Sequence, residues 1–240
     1  MSAPASPSVL EKETLKMTGM KKRLMHLGFV VVALCALSAA VALAAADSPA
    51  QPKAPAGSAE GAIARMRTLT KDNKWQELVD QFKDEDLSTW PDAGEAFHLR
   101  GYSYLHLKDG AKAERDLKAA VERVPENGYF WHSLGDTYQQ LLRDDARALD
   151  AYRKGFELED KYVWVTTAAT LKAANILLYQ VKNDAALETL NRYGEEDLKK
   201  LSPYYRISIL RAYGEVYAAQ GRDAEAWAKF DEALKVERGQ

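Results

Sequence analysis

The chain has 240 residues, 47% hydrophobic and 28% charged, which is enough to bury a sizeable core and unlike a disordered chain. Its 33 Lys/Arg against 35 Asp/Glu leave a net charge of −2, with no basic excess to attract a nucleic-acid backbone. One cysteine excludes an intrachain disulfide and a cysteine-clustered zinc site, and 14 Gly with 8 Pro are too few breakers for a many-turned all-β fold.

The first recognisable element is an export segment. Lys21, Lys22 and Arg23 form a compact positive region ahead of an apolar stretch from Leu24 to Ala46 that holds no Asp, Glu, Lys or Arg. It closes on Ala44-Ala45-Ala46, the small-residue pattern a signal peptidase reads, so residues 1–46 are expected to be a signal peptide. Met20 directly precedes the basic run and reads like a natural start. The alternative is a retained anchor, because 23 apolar residues can span a bilayer. The alanine-rich second half and the small-residue end favour cleavage. Cys35 follows Leu34 rather than a small residue, which argues against lipidation. Cleavage would leave 28 basic and 33 acidic side chains, net −5, and no cysteine, as suits an oxidising compartment. The expected location is the periplasm or cell envelope, with membrane attachment only if the segment is kept. Residues 47–59 are rich in Pro, Ala and Ser and read as an extended linker.

From residue 60 onward the pattern is helical. Ile63, Met66 and Leu69, the Lys71-Asp72-Asn73 turn, then Trp75, Leu78, Val79 and Phe82 predict a first helix hairpin over 60–83. Ser88-Thr89-Trp90-Pro91 and Ser202-Pro203 read as helix starts. Phe97, Gly101 and Tyr104 recur as Trp131, Gly135 and Tyr138, each displaced by 34 residues. The earlier unit continues with Ala113, Leu117, Ala120 and Pro125, and the later one with Ala148 and Tyr152 after one extra residue, placed in the Arg143-Asp144-Asp145 turn. Between residues 162 and 193 the aromatic-glycine signature lapses, but Ala168, Leu171, Ala174, Leu178 and Val181 mark a helical face. Asn183-Asp184 is read as the turn there, followed by Ala186 and Leu190. A last unit supplies Gly214, Tyr217, Gly221, Ala226, Phe230 and Ala233.

Trp131-His-Ser-Leu134-Gly135-Asp-Thr-Tyr138 fits W-x2-L-G-x2-Y at every defined place, and from about Gly61 the chain resembles the tetratricopeptide repeat (TPR) family. The resemblance implies an all-α, right-handed superhelical solenoid of about five antiparallel helix hairpins. Gly101, Gly135 and Gly214 are expected at the close crossing within each hairpin, opposite the small Ala113, Ala148 and Ala226. Tyr104, Tyr138 and Tyr217, with Leu117, Tyr152 and Phe230, are expected to fill the spaces between hairpins. Phe230 is expected within its own hairpin, against Tyr217. Two departures stand out: Arg100 replaces the pattern's Leu and Asp160 its Pro.

No phosphate loop, H-E-x-x-H pair or G-x-S-x-G elbow is present. A metal site would draw on His98, His106, His132 and Asp136, but no short ligand spacing fixes its geometry. Asp144-Asp145 and Glu195-Glu196 are read as solvated turn charges, and no dry carboxylate pair is apparent. The expectation is a non-enzymatic scaffold without cofactor or metal, and an envelope enzyme is the rival least supported. A solenoid of this kind implies a concave groove lined by the first helix of each hairpin. Glu95, His98, Tyr102, Leu105 and His106 project there from one unit, Tyr129, His132, Asp136, Gln139 and Gln140 from the next, and Ser208, Arg211 and Glu215 from the last. The chaperone-tail binders of the family use a Lys/Asn/Arg clamp, which here would begin with His98 and Tyr102, so that ligand is disfavoured. A protein or extended peptide segment is the expected partner. Trp227 and Leu234 lie seven apart on the final helix with no further hairpin to cover them, and are expected to form an end patch for self-association or a partner helix.

Overall fold

One backbone device makes every hairpin in the computed structural model, which describes residues 58–158 and 163–239. The backbone N–H groups of Lys74, Asp109, Asp144, Lys182 and Arg222 donate to the carbonyls of Leu69, Tyr104, Tyr138, Leu177 and Tyr217. The residue before each donor has a left-handed backbone: Asn73, Lys108, Arg143, Val181 and Gly221. This arrangement ends a helix by satisfying its last carbonyls and turns the chain back on itself. The export segment, the linker up to residue 57, and Asp160 lie outside the described residues.

Among the described residues there are eleven helices and no strand: α1 (Ala59–Lys71), α2 (Trp75–Phe82), α3 (Ala93–His106), α4 (Gly110–Arg123), α5 (Gly128–Asp136), α6 (Asp145–Glu157), α7 (Val163–Tyr179), α8 (Asn183–Leu190), α9 (Glu195–Lys200), α10 (Pro203–Ala219) and α11 (Asp223–Glu237). The five turns pair α1 with α2, α3 with α4, α5 with α6, α7 with α8 and α10 with α11. Each hairpin also packs on the next, α2 on α3, α4 on α5, α6 on α7 and α8 on α10. The chain is thus a TPR-like helical solenoid of five hairpins. Side-chain caps start several helices: Asp109 accepts from the Lys112 N–H, Asp144 from Arg147, and Asn127 from Tyr129.

Four local readings need correction. The extra residue of the third hairpin is not in the Arg143-Asp144-Asp145 turn. That turn keeps the common geometry, and the chain absorbs the insertion as one π-helical turn over Thr137–Leu141. In the fourth hairpin the turn runs through Gln180–Lys182, so Asn183-Asp184 already belongs to α8. Val165, Ala169, Ala173, Ala174, Ile176 and Leu177 are buried on α7, with Leu171 and Leu178 partly buried beside them, so the expected face holds at Ala174 and fails at its end, where Val181 is 79% exposed. That helix is apolar nearly all round, so spacing alone picked the flank of its buried face. Glu195-Glu196 likewise forms the first turn of α9, not a loop.

Packing within hairpins also differs from expectation. The glycines face the large partner, not the alanine four residues before it. A Cβ on Gly135 would stand 2.6 Å from the Tyr152 ring, and one on Gly214 2.5 Å from Phe230. Leu117 and Tyr152 therefore lie inside their own hairpins, while Phe230 lies inside its own hairpin as expected, over Gly214, and Tyr217 stacks on Tyr213.

Val181 is the costliest of the left-handed residues, because a β-branched side chain at φ 60° crowds its own backbone. Val181→Gly removes that strain and loses no packing, so we expect a gain of about 1 kcal/mol in unfolding free energy by urea titration. An unchanged midpoint would show that the turn relaxes without help.

Candidate protein-binding groove

The first helices of hairpins two, three and four bring their rings together on one side. Trp75, which opens α2, stacks on His106 at 4.2 Å and meets Tyr102 edge-on at 5.6 Å. Tyr102 lies 6.0 Å from Tyr129, and Tyr129 lies 5.2 Å from Trp164 on α7. All four of Trp75, Tyr102, Tyr129 and Trp164 are half-buried. The result is a continuous row of rings to which each of the first four hairpins contributes one.

Beneath the row, the histidines are structural more than they are exposed. His98 is 3% exposed and His132 8%, a correction to their expected place on an open groove surface. His98 lies 3.1 Å from the Ser133 hydroxyl through Nε2 and stacks on Phe130 at 4.4 Å, which joins α3 to α5. Burial pushes its pKa down to about 3, so the ring is neutral near pH 7. Burial also lowers His106 and His132, opposed in both cases by the Asp136 charge. The Nε2 atoms of His106 and His132 are buried without a hydrogen-bond partner in the described structure.

Asp136 anchors the floor. Burial works against its carboxylate, but the charges of His132 and Lys172 and the hydroxyl of Tyr152 together hold its pKa below the ordinary range. Lys172 on α7 approaches its Oδ1 to 2.9 Å, and Tyr152 to 2.6 Å. His132 Nδ1 stands off at 3.9 Å. The Tyr152 hydroxyl also lies 2.9 Å from Gln139 Oε1, and with one proton it donates to one of the two acceptors at a time. This polar knot joins α5, α6 and α7, and it leaves Gln140 exposed beside it.

The other expected groove residues stand apart. Glu95 turns toward α1 and pairs with Arg67, its two oxygens 2.6 and 2.5 Å from Arg67 Nε and Nη2. Leu105 is core, and Ser208 hydrogen-bonds the Tyr204 carbonyl on its own helix. Arg211 pairs with Glu237 of α11 at 3.2 Å. Glu215 is half-buried, and burial raises its pKa against the pull of Arg211. Trp227 and Leu234 are 41% and 43% exposed, with the Trp227 ring edge-on to Phe230. No group of three or more metal-ligating side chains is assembled among the described residues.

Sequence reading missed Trp75, Trp164 and Lys172. Trp75 sits on a second helix, outside a projection that used first helices only. Trp164 and Lys172 sit on α7, where the repeat signature lapses and register could not be carried across.

No family model and no curated protein matches the chain. Solved structures do. A crystal structure of MamA superposes with a TM-score of 0.60 at 18% identity, covering 75% of this chain and 92% of MamA. MamA AMB-1 gives 0.58 at 17%, covering 75% and 99%, and MamA MSR-1 gives 0.54 at 18%, covering 76% and 98%. At such identities the likeness carries the fold, a solenoid of helix hairpins.

The buried, neutral His98 makes the groove acid-labile. The folded His98 binds its proton near pH 3 and an unfolded one near 6.5, so the contribution is complete above about pH 6.5 and is lost as pH falls toward 3. On account of His98 we expect unfolding free energy to drop by about 1.4 kcal/mol per pH unit across that window. His98→Gln should flatten the slope between pH 6 and 4 by close to one proton in urea titrations at stepped pH. Superimposable slopes would show that His98 is already protonated in the fold.

Proposed function

We propose that this protein is a non-enzymatic scaffold of the cell envelope that holds a protein segment along its aromatic row. The observation that supports this most directly is the set of half-buried rings Trp75, Tyr102, Tyr129 and Trp164. Such rings offer large contact area with little rotamer entropy to lose, a combination that suits protein recognition. The MamA likeness supports the architecture of this reading. The fixed floor of Asp136, Lys172 and Tyr152 supports it too, because a pre-organised wall lowers the entropy lost on binding.

A photo-crosslinking side chain placed in turn at Tyr102, Gln140 and Lys118 tests the groove inside cells. Adducts are expected from Tyr102 on α3 and exposed Gln140 but not from Lys118, which is exposed on α4. Equal yields at all three positions would remove the groove from the reading. The proposed export rests on Lys21–Arg23 and the apolar stretch to Ala46, and N-terminal sequencing of the cellular protein decides it. A start near Asp47 supports release into the envelope, and an uncut chain supports an anchored assembly subunit.

The Trp227/Leu234 surface is the second contact of this reading, used for self-association or for a partner helix. Trp227→Glu should leave helicity unchanged and lower the sedimenting mass of any species joined at that end. A mutant of identical mass at high concentration would retire the self-association role.

A further inference from the structure

We propose that the aromatic row is a cation site, which takes the guanidinium or ammonium group of a basic side chain carried by the partner segment. The inference rests on the groove reading above and names the group recognised there. An aromatic ring is negative on its faces, so a cation within about 6 Å of the centroid is attracted to it. Elsewhere in the solenoid this contact is already made. Lys154 Nζ lies 4.4 Å over the Trp131 ring, and the guanidiniums of Arg147 and Arg222 lie 4.4 and 4.3 Å over Tyr138 and Tyr217. Among the described residues no Lys or Arg lies over Trp75, Tyr102, Tyr129 or Trp164.

The surroundings favour positive charge. Burial raises the phenol pKa of both Tyr102 and Tyr129, and the Asp136 charge raises both further. The same charge opposes the lowering of His106 by burial, so the field of the acid reaches the row on both sides of Tyr102. Lys172, 2.9 Å from Asp136 Oδ1, is felt at His132 and at Asp136 itself. His106 stacks on Trp75 at 4.2 Å, and His132 lies 6.2 Å from Trp164. Burial pushes both imidazoles toward the neutral form, so neither repels a cation. Each keeps its Nε2 without a partner among the described residues. In His132 the Nδ1 side faces the Asp136 carboxylate at 3.9 Å, which favours the proton there and leaves Nε2 as an acceptor. An unused lone pair beneath the rings adds to their attraction for a cation.

Other charges beside the row are closed into pairs. Glu95 holds Arg67, and Lys74 stands 3.7 Å from Glu77. The chemistry is therefore the reverse of a carboxylate clamp, with ring faces and a buried acid where such a clamp has cations. Both arginine and lysine sit on rings elsewhere in this chain, so either group suits the row.

The test uses protein purified from cells that express the chain from Met1, isotope-labelled at tryptophan for nuclear magnetic resonance. The indole N–H signals of Trp75 and Trp164 are expected to shift saturably with a short alanine peptide that carries one arginine, and with its lysine counterpart. A citrulline peptide, which keeps the shape of arginine without its charge, should bind at least about fivefold more weakly. Trp131, whose face Lys154 already covers, should not move. Tyr129→Leu keeps an apolar side chain but removes a ring, and should weaken the arginine peptide by at least about fivefold, whereas Tyr129→Phe should not. Tyr102→Leu serves if Tyr129→Leu loses helicity. Equal binding of the arginine and citrulline peptides overturns the inference, and so does the lack of any shift at Trp75 and Trp164. In either case adducts to another protein from Tyr102 and Gln140 would leave the groove reading standing.

Discussion

Gly135→Ala should lower the unfolding free energy by about 3 kcal/mol, with a melting temperature lower by roughly 10 °C by circular dichroism. The new methyl carbon would stand 2.6 Å from two atoms of the Tyr152 ring. Tyr152 has no room to yield, since it is fully buried and its hydroxyl is held between Asp136 and Gln139. Alanine is the better helix former by roughly 1 kcal/mol, so the overpacking has to exceed that gain and is expected to do so. Gly214→Ala makes a similar clash with Phe230, but Phe230 is only half-buried and can swing outward. The Gly214 effect should be less than half as large. If the two variants melt alike, burial of the facing ring is not what sets the penalty.

The second large effect is expected at the pair Arg100–Asp116. Arg100 Nε lies 2.6 Å from Asp116 Oδ2, and both side chains are almost wholly buried. The guanidinium also donates to the carbonyls of Phe82 at 2.9 Å and Glu85 at 3.0 Å, which ties the end of the first hairpin to the second. Asp116→Ala strands a buried cation and should destabilise by about 3–5 kcal/mol in urea titrations. Arg100→Leu should be milder, because Asp116 keeps the exposed Arg115 at 2.9 Å. Adding Arg100→Leu to Asp116→Ala should recover most of the loss, since the unmatched charge leaves with it. A double variant as weak as Asp116→Ala alone would locate the stability in the carbonyl bonds to Phe82 and Glu85.

Arg100 also shows how far the sequence could be read. Its departure from the repeat pattern was visible, but its partner lies 16 residues away on the next helix, and no spacing rule joins a buried Arg to a buried Asp. Register was legible wherever aromatic, glycine and alanine recur at fixed distance, so the second, third and fifth hairpins were placed closely. The final helix, α11, spans Asp223–Glu237 and carries the Trp227 and Leu234 that spacing placed on it. The fourth hairpin was placed less well because α7 is apolar on most sides and gives spacing little to select. Periodicity identifies the face a residue shares, not the depth at which it sits. His98, Tyr102 and His132 were therefore assigned to one wall together, although packing buries the imidazoles and leaves the phenol half-open.

The π-helical turn at Thr137–Leu141 bears on how such chains are aligned with one another. The alignment gap for the extra residue of the third hairpin belongs inside a helix, near Gln140, not in the turn where gaps are usually set. A one-residue deletion there would restore the regular spacing between Tyr138 and the left-handed position now held by Arg143. The turn would be carried through unchanged, and the side chains from Thr137 back to Gly128 would keep their places. An insertion of this kind is a local event in a solenoid, and it can be gained or lost in a lineage without moving the wall in front of it.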